Sequence, residues 1–166
     1  NHHPDPTKSR AQYLPLLELS VLDNPDDART VHYLGREYMF HRQWRKCIEM
    51  LTLHLNMPGA TWREERCASC RFIARAHVNL GERGDARAAL FRAIAEAPWL
   101  REPYFEMARL LLNDGEFAGA AFMARQALAI QTRPEVYISE DAAWGDELPR
   151  LLERAQTELK RTLLIK

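Results

Sequence analysis

Apolar residues recur along this chain three and four positions apart, the spacing that lines up on one face of an α-helix. They come in blocks of about a dozen residues separated by short polar breaks. The breaks contain Pro25, Pro58 and Pro98, which cannot continue a helical hydrogen-bond ladder. Gly81, Gly84 and Asn113-Asp114-Gly115 fall where adjacent helices must turn. Strand-like alternation and Asn-Gly hairpin signals are missing from the sequence, and Ala, Leu, Arg and Glu, all good helix formers, are abundant. The pattern predicts an all-α fold of about eight helices. Ser9-Arg10-Ala11-Gln12 has capping-box spacing for the first of them, with Pro15 deep enough inside to bend it.

The blocks repeat. Cys70-x2-Ile73-Ala74-x2-His77, followed by Ala86, Leu90 and Ala93, returns as Tyr104-x2-Met107-Ala108-x2-Leu111, followed by Ala120, Ala124 and Ala127, each matched position 34 residues on. That period and its alternation of large and small residues are those of tetratricopeptide repeats. An earlier copy runs Val31-x2-Leu34-Gly35-x2-Tyr38, then Trp44, Cys47 and Leu51. It leads the next by 39 positions, so about five residues are inserted within 59–66. Tyr13, Leu17, Ser20 and Pro25 match the second half of a repeat whose first helix is absent. Leu148, Leu151, Leu152, Ala155 and Leu159 form the stripe of one terminal helix. Small residues at Gly35, Ala74 and Ala108 on first helices, and at Cys47, Ala86 and Ala120 on second helices, let paired helices approach. Tyr38, Leu51, Leu90 and Leu111 fill the space between hairpins. The expected architecture is a right-handed α-solenoid of tetratricopeptide hairpins. It divides into a half repeat over 10–27, repeats over 28–66, 67–100 and 101–134, and a terminal helix over 147–164, together a domain over 10–166.

Charge narrows the function. The 166 residues carry 23 Lys plus Arg against 23 Asp plus Glu, a balance that argues against nucleic acid as the main partner. The sequence offers no apolar run of about 20 residues for a membrane span and no secretory h-region, so a cytoplasmic location is expected. Three cysteines, Cys47, Cys67 and Cys70, are an odd number and do not suggest a disulfide framework.

Several stretches resemble something narrower than a generic array. "HHPDPTKSRAQYLPLLELSV", "YLGREYMFHRQW", "GATWREERCASCRFIARAHVNLG", "AIAEAPWLREPYFEMARLL" and "AAWGDELPRLL" are similar to the helical region that follows the catalytic domain in some bacterial family 2 glycosyltransferases. The resemblance covers nearly the whole chain and is most specific at 60–79. It implies a nucleotide-sugar-dependent domain upstream, with 1–9 as the linker from it. The Asp-x-Asp motif of that domain is not in this sequence, so no catalytic residue is carried over.

In tetratricopeptide arrays, first helices line an inner groove. The corresponding positions here hold His32, Arg36 and Met39; Arg71, Arg75 and Val78; and Glu102, Phe105, Arg109 and Leu112. Arg36, Arg75 and Arg109 share one repeat position. With His32, Arg71, Phe72 and Phe105 they make a candidate groove for an acidic or phosphorylated extended peptide, or a nucleotide diphosphate, since guanidinium groups pair bidentately with such anions and stack on flat groups. The competing reading is an ion network in which Arg71 and Arg75 neutralise Glu102 and Glu106. The clamp that grips chaperone C-terminal carboxylates is not expected, because Phe72, Glu102 and Glu106 occupy its key positions.

Other chemistry is thin. Cys67-Ala68-Ser69-Cys70 is a C-x-x-C without a second ligand pair, and Cys70 falls at a core position. His2, His3 and Asp5 lie in a proline-flanked terminus. His77 is expected to be a packed core histidine, and no Ser/His/Asp arrangement can be placed. In the insertion, Thr61 and Glu64 have capping-box spacing around Trp62, an alternative to Trp62 serving as an exposed contact. Catalytic residues, metal and cofactor are therefore none. The expected partners are a protein or peptide, acidic where it meets the arginines, the parent chain's catalytic domain, and a second copy of this chain. The alternatives are a free-standing adaptor or a structural element that dimerises through its terminal helix.

Overall fold

The computed structural model describes residues 10–164. Ser9, His2, His3 and Asp5, with the readings attached to them, lie outside that range. Among the described residues every regular element is an α-helix: α1 (Arg10–Asp23), α2 (Ala28–Phe40), α3 (Trp44–Asn56), α4 (Arg63–Asn79), α5 (Arg83–Glu96), α6 (Arg101–Asn113), α7 (Phe117–Ala129), α8 (Asp141–Trp144) and α9 (Glu147–Leu164). The ninth element, beyond the eight expected, is the four-residue α8. None of these helices is long and apolar enough to cross a membrane. The chain resolves into two compact units, residues 1–86 and 87–166.

In the first unit α2 packs against α1, α3 and α4, and α3 packs against α4. The small residues work as the pattern requires. A Cβ on Gly35 would run into the Leu51 side chain, so only glycine lets α2 approach α3 here. Val31, Leu34, Cys47, Leu51, Cys67 and Cys70 are buried around that contact. Pro25 and Pro58 each stand two residues beyond a helix end, at α1 and α3. Pro15 lies inside α1. That helix is thinly covered, with Leu16, Leu19 and Leu22 exposed.

The insertion is resolved into two parts. α4 has 17 residues where α2 and α6 have 13, so it begins about one turn early. The connection over 57–62 is also longer than that over 97–100. Trp62, not Thr61, is the N-cap residue of α4, and its side chain makes no capping bond. The expected Thr61–Glu64 box is thus not the helix start.

In the second unit α6 packs on α7, and α9 covers α7, α6 and α8. Ala120, Ala124 and Ala127 of α7, with Leu148, Leu151 and Ala155 of α9, are buried. Glu102 ties the segment before α9 to α6: its Oε1 accepts from Ser139 Oγ at 3.1 Å, Glu140 N–H at 3.0 Å and Trp144 Nε1–H at 2.9 Å. Arg101 lies over the Trp144 ring at 4.1 Å and donates to the Ile130 carbonyl at 2.6 Å.

All three hairpins turn in the same way. Arg42, Gly81 and Gly115 adopt left-handed φ of 57°, 77° and 78° at equivalent repeat positions. The following N–H of Gln43, Glu82 and Glu116 donates at 2.9 Å to the carbonyl of Tyr38, His77 and Leu111. Arg42, Gly81 and Gly115 themselves donate to Met39, Val78 and Leu112. Together these bonds make three Schellman closures. Gly84, expected in the second turn, lies inside α5.

Candidate functional site

Three helices carry the repeated arginine. Each sits over an aromatic ring on its own helix: Arg36 over Tyr33 at 5.1 Å, Arg75 over Phe72 at 5.3 Å and Arg109 over Phe105 at 5.3 Å. Rings three or four residues upstream share a helix face with the arginine, and a cation over such a ring is attracted by its quadrupole. Arg36 and Arg75 are half-buried and Arg109 is exposed. Arg109 also stands 3.9 Å from Glu147. The other candidates behave differently. His32, Arg71 and Phe105 are buried, as is Phe72. Their helix position therefore faces protein, while the arginine position three or four residues on reaches solvent, as does Val78. Glu102, also placed by spacing on the inner face, is consumed in anchoring 139–144.

A second feature, a chain of buried polar side chains, is marked by no motif in the sequence. Ser69 Oγ lies 2.8 Å from His32 Nδ1 and 2.9 Å from His54 Nδ1, and His54 Nε2 faces Glu65 Oε1 at 3.4 Å. Helices α2, α3 and α4 each contribute. One proton assignment satisfies the chain: His54 carries its proton on Nε2 toward Glu65, Ser69 donates to His54, and His32 Nδ1–H donates to Ser69. His32 Nε2 then points into the core, without a hydrogen-bond partner. Burial holds the His32 imidazole neutral, its pKa pushed down to about 3, while the Glu65 carboxylate opposes the shift. Residue types resembling a hydrolytic triad are present, but His32, His54 and Ser69 have no solvent exposure. A hydroxyl with no access to a substrate is not a nucleophile; the chain is a buried polar bracket joining three helices.

Glu65 is where this bracket meets the surface. It lines a cleft of about 360 Å³ with Asp26, Asp27, Arg29, Thr61 and Trp62. Arg29 lies 5.6 Å from the Trp62 ring centre, and its Nε is 3.6 Å from Glu65 Oε2. Asp27 caps α2, accepting from Arg29 N–H, Thr30 N–H and Thr30 Oγ1. The Thr30 hydroxyl bond, ahead of the backbone donors, holds its carboxyl below the usual range.

The remaining candidates are quiet. All three cysteines are buried and none forms a disulfide. Burial pushes the Cys47 thiol up to about 12, which suppresses thiolate chemistry. His77 is largely buried, with 14% of its side chain exposed, and its Nδ1 lies 2.7 Å from Glu82 Oε2 across the turn. With Asp85 these two bring potential metal donors together. Arg45, however, already grips both Glu82 oxygens, and the His77 and Arg45 bonds hold that carboxyl below its usual range.

No family model matches this sequence and no curated protein matches it. Solved structures do, at the level of fold. A crystal structure of MamA protein is similar over 93% of this chain and 81% of its own, with 19% identity and a TM-score of 0.62. A second MamA structure matches over 93% and 91% with 17% identity and a TM-score of 0.63. A putative kinesin light chain of Podosopora anserina, described as having nearly identical TPR-like repeats, matches over 92% and 88% with 22% identity and a TM-score of 0.60. The fold is thus of the tetratricopeptide solenoid class.

Proposed function

We propose that this chain is a non-catalytic recognition module that binds an acidic protein segment through the repeat position held by Arg36, Arg75 and Arg109. One observation carries the reading: three guanidinium groups, each backed by an aromatic ring, recur at the same place in successive first helices and retain exposure. An arginine braced against a ring loses less freedom when it pairs with a carboxylate or phosphate. The fold supports a scaffold role, since stacked hairpins present extended surfaces. The resemblance to the helical region after family 2 glycosyltransferase domains supports the finer reading, in which the segment bound belongs to an acceptor. Binding energy remote from the chemistry would then position that acceptor for a catalytic domain elsewhere. The exposed leucines of α1 support self-association as a second role.

The test is titration calorimetry of an extended Glu/Asp-rich peptide against the chain and its Arg36→Ala/Arg75→Ala/Arg109→Ala variant. Loss of binding by roughly tenfold or more is expected, at about 0.5–1 kcal/mol per half-exposed pair. Equal affinity in the two proteins, with unchanged helicity, would reject the assignment.

A further inference from the structure

Among the three repeated arginines, Arg36 stands in a setting of its own. No carboxylate pairs with it among the described residues, and its Nε is buried without a hydrogen-bond partner. Arg109, by contrast, already stands 3.9 Å from Glu147. A partly desolvated guanidinium without an anion leaves donors unmet, and native structures seldom leave them so. The Tyr33 ring, its centre 5.1 Å from the guanidinium carbon, braces the group from its own helix.

Phe40 adds a second group. It follows Arg36 by four residues, so both occupy one face of α2, and 42% of Phe40 is exposed at the helix end. The later repeats do not copy it. Asn79 and Asn113 hold the equivalent positions, 39 residues on and then 34 more. Asn79 turns its amide back to the Arg75 carbonyl at 2.8 Å. Of the three first helices, α2 alone therefore pairs the repeated arginine with an exposed ring one turn later.

Spacing sets the ligand. Four helical residues rise about 6 Å. Two residues of an extended chain advance about 6.5 Å, with their side chains on the same side. A segment lying along α2 thus reaches both groups with side chains two positions apart. We propose that Arg36 and Phe40 form a two-point site for an extended polypeptide that carries an acidic and an aromatic residue with one residue between them. Resting on the arginine positions of the proposed function, this site makes Arg36 the anchor and adds a ring as the source of selectivity. The carboxylate takes the terminal guanidinium nitrogens, and the ligand's ring packs on Phe40.

The test uses the full chain and a capped Gly-Phe-Ser-Glu-Ser-Phe-Gly peptide, which offers the spacing in either chain direction. One control replaces its Glu with Gln. Another, Gly-Ser-Phe-Glu-Phe-Ser-Gly, has the same composition but puts rings and carboxylate on opposite sides of an extended chain. Affinities are read from amide shifts of the isotopically labelled protein. The first peptide should bind about fivefold more tightly than either control. Arg36→Ala and Phe40→Ala should each weaken it about fivefold, and Arg109→Ala by less than about twofold. If Arg36→Ala loses its helical signal, the exposed Phe40→Ala variant and the peptide controls decide. Three results would overturn the proposal: equal binding of the respaced peptide, equal binding of the Gln peptide, or an unchanged affinity in Phe40→Ala. The arginine positions would outlive the first and third of these if the Glu/Asp-rich peptide still lost its affinity for the triple variant.

Discussion

At the scale of single residues, the buried polar bracket is the main departure from an apolar repeat core. Ser69 Oγ bridges the Nδ1 atoms of His32 and His54 at 2.8 and 2.9 Å, and such pairing is how polar groups survive in a low-dielectric interior. The neutral His32 makes stability depend on pH. Its pKa in the folded chain, about 3, lies below the unfolded value of 6.5, so between these values the unfolded state binds a proton that the folded state refuses. Stability from this group is complete above pH 6.5 and is lost as pH falls toward 3. The slope is at most ~1.4 kcal/mol per pH unit. Urea melts at pH 7, 6 and 5 should show stability falling with acidity, and more shallowly in His32→Asn. Equal slopes in both proteins would mean that His32 is not the group responsible. None of this was legible in the sequence, because Ser69 lies 37 residues from His32 and 15 from His54. The C-x-x-C drew attention to Cys67 and Cys70, while the serine between them carries the contact.

At the scale of elements, the hairpin turn is the most regular device in the chain. Arg42 holds the left-handed position that Gly81 and Gly115 occupy in the later turns. A side chain there costs roughly 1 kcal/mol that glycine avoids. Arg42→Gly should therefore raise the stability of the chain by about 0.5–1 kcal/mol, partly offset by the freedom glycine adds to the unfolded state. Gly81→Ala should lower it by a similar amount. Chemical denaturation of both variants checks the pair, and a destabilised Arg42→Gly would contradict it. The helices and their small-residue contacts were readable because spacing alone fixes them, as at Gly35 against Leu51. The turn at Arg42 was not, since arginine carries no left-handed signature. The short α8 was missed for a related reason: four residues make no period, and its place depends on Glu102, some 40 residues earlier.

At the scale of the whole molecule, the terminal helix belongs to the core of its unit. Leu148, Leu151 and Ala155 are buried, and α9 covers the alanine face of α7. A chain ending at Asp146 uncovers that face and forfeits two buried leucines, a loss of at least about 3 kcal/mol. Its thermal transition should fall by several degrees, with increased binding of a hydrophobic dye; an unchanged transition would show α9 to be an accessory. The stripe of leucines announced this helix in the sequence. What remained invisible was which inner-face positions stay open. Periodicity assigns a face, but the burial of His32, Arg71 and Phe105 against the exposure of Arg109 depends on what packs over each of them.

The early start of α4 bears on how such a chain can change. Four added residues lengthen a helix by about 6 Å, and growth at the N-terminal end leaves the phase of every downstream contact untouched. The repeat's helix-to-helix register is therefore indifferent to the addition, although Glu65, which faces buried His54, is tied to the core by it. A tandem array usually diversifies by trading side chains on surfaces that all repeats share. Here a single helix carries a private outgrowth, so a local surface can be added or removed in one insertion or deletion while the surface shared by the repeats stays as it is.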